Sequence, residues 1–268
     1  MAATPPAPGP ARQLAEEDQR ETTRLCVETA LLLMQHGTES AVVENMVRRL
    51  GLSLGVERVE AGIFANSVVL TTLSERRSMT TVRRSEDRGI NMHLVTEVQR
   101  AVLSVEAGEL DGAGYRTRLE GLFPFHYPRW LVSLAIGLSC ACFARLAGAD
   151  WAGCGVVVLA SSAAMGLRQG VARLRFSPLV AFFAAAFVAT SIAGLSELMG
   201  VGETPRIAAA SSVLLLVPGF PLINGVSDVV KGHWSTGVAR LVFATLLSAA
   251  TCTGILLAIS LWQLWGLL

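Results

Sequence analysis

Beyond Arg129 the chain has only four acidic residues, Asp150, Glu197, Glu203 and Asp228, set among long apolar runs. In hydrocarbon a segment must satisfy its own backbone polar groups, which a helix does and a lone strand or loop does not. About 17–25 apolar residues are enough for such a helix to cross a bilayer. Residues 130–146, 151–167, 179–198, 207–230 and 238–264 fit that description. They predict an all-α bundle of five transmembrane helices over 126–268, the fourth broken at Pro218 and Pro221. Composition agrees, with 16% of residues charged against about a quarter in an ordinary soluble domain.

Trp130, Trp151, Trp234, Trp262 and Trp265 fall at or near the predicted span ends, where aromatic rings prefer the headgroup layer. Arg168, Arg173 and Arg175 lie between the second and third spans, Lys231 and Arg240 between the fourth and fifth, and Arg129 before the first. The opposite loops are acidic or nearly neutral, so the positive-inside rule predicts an internal N-terminus and an external C-terminus. Small residues recur at helical spacing, as in Ala185, Ala189 and Ala193 or Gly137 and Ala141. Such ridges let helices approach closely, either within one subunit or at a seam with a partner.

The first half differs. Residues 1–19 are proline-rich and polar, without the apolar core of a signal peptide, and predict a disordered leader. Residues 20–125 predict a small cytoplasmic α+β domain, with helices over 22–35 and 39–50 separated by "HGT". A β-like stretch over 56–84 turns near "SERR". A helix from Gly89 to Gly108 and a short one over 115–122 follow. Val43, Met46, Val47 and Leu50 form one apolar stripe, and Leu94, Val98, Val102 and Val105 another.

Candidate chemistry in this half is sparse. His93 and Glu97 are four apart on one helical face, a spacing that suits a metal, an acid–base pair or a plain surface contact. Arg76, Arg77, Arg83, Arg84 and Arg88 alternate with Glu75, Glu86 and Asp87. That strip reads as a solvated face or as a contact for anionic headgroups or ligands. Five cysteines without C-x-x-C spacing argue against a metal or disulfide framework. No nucleotide-binding or nucleophile motif is present, and a net charge of +1 makes no case for nucleic acid. Neither a cofactor nor an enzyme is expected.

The stretch "LLLVPGFPLINGVSDVVKGHW", from Leu214 to Trp234, carries the strongest functional signal. In a helix interior, Pro218 and Pro221 would each remove an amide hydrogen bond, and the freed carbonyls at membrane depth would need partners. Gly219 permits a bend or a close approach. Asn224 and Asp228 share one face of the following half-helix, whose positive amide end points back at the break. Broken helices of this kind hold anionic substrate groups in transporters. Two plainer alternatives remain: a simple kink, or an interfacial Asp228 paired with Lys231.

The same residues carry a likeness. "LLLVPGFPLINGVSDVVKGHWSTGVAR", "HGTESAVVE", "NSVVLTT", "DRGINMHLVTEVQ" and "YPRWLVSLAIGLSCACF" together resemble the threonine/serine exporter (ThrE) family over nearly everything after the leader. The resemblance implies a cytoplasmic domain joined to a membrane domain in a bacterial inner membrane. It implies export of small carboxylates: succinate for two-component members, threonine and serine for fused ones. A chain with five spans would be the larger half, working with a smaller, separate membrane subunit. On that view Gly219, Pro221 and Asn224 contact substrate, and Asp228 is the coupling carboxylate. Arg168 or Lys231 attracts anions at the inner mouth. The rivals are a threonine/serine exporter subunit and a membrane-anchored sensor or enzyme acting through its cytoplasmic domain.

Overall fold

The computed structural model describes residues 16–75 and 77–264, which form two compact units. One comprises the residues up to Phe125 together with Ile223–Arg240, and the other comprises His126–Leu222 and the residues from Leu241 onward.

The first unit begins with α1 (Glu16–Gln35) and α2 (Ser40–Ser53), followed by strands β1 (Arg58–Phe64), β2 (Ser67–Ser74) and β3 (Arg77–Arg84). Helices α3 (Met92–Glu106) and α4 (Gly112–Glu120) complete its N-terminal part. The strands form an antiparallel sheet in the order β1-β2-β3. Phe64 lies opposite Ser67, so the first hairpin turns in two residues, and Ser74 lies opposite Arg77. The expected turn near "SERR" is there. The turn at Ala65–Asn66 was not legible, because neither flank carries the usual glycine signal.

Both predicted helical stripes are buried. Val43, Val47 and Leu50 are fully enclosed, as are Val98 and Val102, alongside Leu25, Leu33, Val68 and Leu70. Each large apolar side chain so buried contributes about 1.5–3 kcal/mol relative to exposure. Tyr115 lies inside this core and its hydroxyl meets that of Thr29 at 2.7 Å. Burial pushes the Tyr115 phenol well above its ordinary range, and it pushes the enclosed Cys26 thiol up to about 12.

The expected leader reached too far. Glu16–Gln19 are already helical, and Gln19 is buried, its amide donating to the Thr72 carbonyl at 3.2 Å. The remainder of the leader and Arg76 lie outside the described residues.

The second unit holds α5 (Arg129–Leu146), α6 (Trp151–Arg173), α7 (Pro178–Leu198) and α8 (Pro205–Ser212), with a 3-10 turn at Leu214–Leu216. Two further helices, α9 (Gly219–Val230) and α10 (Trp234–Trp262), each contribute residues to both units. Helices α5, α6, α7 and α10 are long and apolar enough to cross a membrane. The pair Pro205–Leu216 and Gly219–Val230 makes a fifth candidate, bent by 57° at its break.

The small-residue ridges pack inside this unit. Ala185, Ala189 and Ala193 are fully buried. A Cβ on Gly137 would collide with Ser162 and come within 2.8 Å of the Val158 carbonyl, so α5 and α6 touch at that point. Large apolar side chains such as Leu134, Leu138, Leu159, Val242 and Leu257 remain exposed, the arrangement a lipid-facing surface requires.

Candidate functional site

The break lies at Val217–Pro218, between the 3-10 turn and α9. Pro221 sits in the first turn of α9, where an amide would have no helical partner anyway, so it removes no helix hydrogen bond. Both prolines therefore stand outside a helix interior, contrary to the sequence expectation. Gly219 opens α9, and a Cβ there would meet nothing within 4 Å.

Helix α9 carries its polar residues on its buried side. Asn224 and Asp228 are buried, whereas Ile223, Val226 and Val230 are exposed. Past Val230 the chain turns at Gly232, whose φ of 90° permits a left-handed conformation in which the His233 amide bonds the Asp228 carbonyl at 2.8 Å. The chain then reverses into α10. A Cβ on Gly237 would lie 2.8 Å from the Gly225 carbonyl, so the two helices meet backbone to backbone. That reversal brings Arg240 alongside Asp228.

Both oxygens of the Asp228 carboxylate are engaged. The Ser40 amide donates to Oδ1 at 2.9 Å, and the Ser40 hydroxyl donates to Oδ2 at 3.1 Å. Arg240 donates to Oδ2 at 2.8 Å, and its other terminal nitrogen donates to the Thr38 carbonyl at 2.9 Å. The Asn224 amide donates to the Gly37 carbonyl at 2.8 Å. Apart from the Arg240–Asp228 pair itself, every one of these contacts falls on "HGTES", the turn between α1 and α2 and the first residue of α2. Gly37, at φ 90°, forms that turn as Gly232 forms the other.

The chemistry explains the pairing. Ser40 opens α2, and Glu39 ahead of it makes no side-chain cap. Orphan amides at a helix start favour a carboxylate, and Asp228 supplies one from elsewhere in the sequence. A buried carboxylate in turn requires a cation and hydrogen-bond donors, which Arg240 and Ser40 provide. Lys231 forms a close ion pair with Glu39, which holds the Glu39 carboxyl below its usual range. His233 approaches Glu44 at 3.5 Å, and the Thr236 hydroxyl donates to the Ile63 carbonyl at 2.8 Å.

Asp228 pairs with Arg240, not with Lys231, and it is enclosed, not solvated. Arg168 stacks over the Phe182 ring at 4.3 Å. Glu97 binds Arg100 at 2.7 Å and Arg118 at 3.5 Å, while His93 is exposed. Arg83, Arg84 and Arg88 are exposed. Sequence reasoning missed Ser40 and the role of Arg240, although both stand inside the motifs that carried the family likeness.

The family model ThrE, "Putative threonine/serine exporter", matches residues 24–262. The chain is 49% identical to "Probable succinate transporter subunit YjjP" of Escherichia coli over 93% of its own length and 98% of that protein. A protein of the same description from Klebsiella aerogenes is 49% identical over 95% of this chain and 99% of its own. More distantly, "Probable threonine/serine exporter" of Mycobacterium tuberculosis is 24% identical over 90% of this chain but only 46% of that longer protein. No solved structure matches the chain.

Proposed function

The chain belongs to the threonine/serine exporter family, and from that premise we propose that it is one subunit of a two-component secondary transporter exporting a small carboxylate, succinate, with a smaller YjjB-like membrane subunit. The observation that carries the proposal is the near full-length likeness to a succinate transporter subunit. The apolar helices agree with a transporter in the bacterial inner membrane. We place the domain over residues 20–125 in the cytoplasm and count the bent pair as a fifth span, on the arginine asymmetry and the hydropathy.

In this scheme Gly219, Pro221 and Asn224 contact substrate, and the Asn224 amide also holds the Gly37 carbonyl. Asp228 is the coupling carboxylate. It is held by Arg240 and by Ser40 at the start of α2, so a change in it would be felt at the turn that Asn224 also grips. Arg168 and Lys231 are occupied by Phe182 and Glu39, and they shape the inner mouth without standing free in it.

Intracellular succinate, threonine and serine should be followed in cells lacking the native exporters, with this chain expressed alone, with its partner, or not at all. Succinate should fall only when both subunits are present. Unchanged succinate with falling threonine would select the amino-acid exporter, a reading favoured by the family description and the mycobacterial relative. No change in any of the three would refute the exporter.

A further inference from the structure

One pocket in the second unit, bordered by two arginines, is used by nothing described so far. The first turns of α5 and the last turns of α6 border an opening of about 270 Å³, lined by Arg129, Trp130 and Ser133 on one side and Gln169 and Arg173 on the other. Gly166 and Gly170 complete the α6 side. Residues 166, 169/170 and 173 follow i, i+3/i+4, i+7 and share one helical face. No acidic residue lines the pocket, and among the described residues neither Arg129 nor Arg173 has an ion-pair partner. A Cβ on Gly166 or Gly170 would meet nothing within 4 Å, so close packing within the chain does not require these glycines. Their effect is to keep the pocket open.

We propose that this pocket binds a small dicarboxylate through Arg129 and Arg173, and that it selects against amino acids. The proposal rests on the exporter reading above and adds to it a site and a basis for selectivity. Guanidinium groups bind carboxylates through paired hydrogen bonds. One arginine on each helix suits an anion charged at both ends. The Ser133 hydroxyl supplies a further hydrogen bond, the Gln169 amide has a second N–H to offer beside the one that meets the Arg129 carbonyl at 3.5 Å, and the Trp130 ring supplies an apolar wall for the methylene chain. Threonine or serine would satisfy one guanidinium, but its ammonium group would meet a second cation and no acid. Such an uncompensated charge is a strong basis for rejection.

A lipid phosphate offers the same oxyanion chemistry, so the test must separate the two sources. The full chain, co-purified with its smaller subunit, is placed in nanodiscs of neutral phosphatidylcholine, with or without added phosphatidylglycerol. Succinate binding is read by tryptophan fluorescence, with Trp130→Phe assigning the signal. Succinate should bind in neutral lipid and threonine should not compete. Arg129→Gln and Arg173→Gln should each weaken binding about 10- to 100-fold, as expected for losing a charged hydrogen bond. Because these arginines also bear on membrane orientation, Arg129→Lys and Arg173→Lys serve as charge-preserving variants, and both should still bind less tightly.

Three results would overturn the proposal: equal binding of threonine, unaltered binding in all four variants, or retention of phosphatidylglycerol in place of succinate. Export separates failure of the pocket from failure of the exporter. Succinate export that persists at the wild-type rate in the double Arg→Gln protein removes the pocket and keeps the exporter. Absence of carboxylate export from the wild-type pair removes both.

Discussion

Replacing Asp228 by Asn looks like the mildest change at the candidate site, yet the geometry makes it disruptive. Three donors converge on the carboxylate: the Ser40 amide, the Ser40 hydroxyl and Arg240. Asparagine keeps one acceptor oxygen and turns the other position into an NH2 donor, which must face an N–H, a hydroxyl or a guanidinium. Arg240, with its side chain only 18% exposed, also loses its counterion. Removing one partner of a buried ion pair costs about 3–5 kcal/mol. Residual exposure and the Thr38 carbonyl place this case near the lower end, at about 3 kcal/mol, or roughly two decades in the folding equilibrium. Arg240→Gln should cost more, because it strands a fully buried carboxylate on Ser40 alone. The double variant Asp228→Asn/Arg240→Gln should be more stable than the sum of the single losses implies, since it strands no charge. The assay is denaturant unfolding of the detergent-solubilised chain, followed by tryptophan fluorescence and arranged as a double-mutant cycle. Wild-type stability in Asp228→Asn, or strict additivity in the double variant, would refute the reasoning. Export by Asp228→Asn should therefore be scored per folded molecule, because packing and coupling share the same atoms.

The Glu39–Lys231 pair predicts an acid-dependent contribution. Its folded-state pKa lies below the ordinary 4.5, so the gain is complete above that value and is lost as pH falls through the folded pKa. The stability difference between wild type and Lys231→Met should accordingly be constant near neutrality and shrink below about pH 4.5. Cys26, with its thiol pushed up to about 12 and fully buried, should resist a water-soluble maleimide at pH 7 until the unit unfolds. Labelling of the native protein within minutes would contradict its enclosure. Gly237→Ala should destabilise by about 1–3 kcal/mol through overpacking, because its Cβ would meet backbone atoms of Gly225 and Val229 at 2.8 Å. Unchanged unfolding would show that α9 and α10 do not meet there.

The long apolar helices and the buried stripes on α2 and α3 were legible because length and period encode them directly. The partner of Asp228 was not. Lys231 is three residues away and looks like the natural ion-pair partner, whereas Arg240 becomes its neighbour only after the Gly232 turn reverses the chain. Ser40 is separated from Asp228 by 188 positions, and no local pattern joins them. Hydropathy also gave no sign that 223–240 packs with the N-terminal residues. It scored the apolar residues of α9, Ile223, Val226 and Val230, which are exposed, while the face that decides the packing is the polar one. The leader was overextended for a related reason: Glu16–Gln19 are polar, and only the bond from Gln19 to Thr72 shows that they belong to the core.

The separation of Ser40 from Asp228 also has a consequence in time. A ribosome adding about 5–20 residues per second needs roughly 10–40 s to travel from one to the other. Throughout that interval the start of α2 has emerged without its anionic cap, and "HGTES" has nothing to close upon. The N-terminal portion must therefore wait for segments made after several apolar helices have left the tunnel. Its final locking reports that those segments have arrived. A fragment released early would lack the carboxylate that fastens it, giving quality-control proteases a physical means of telling finished chains from unfinished ones.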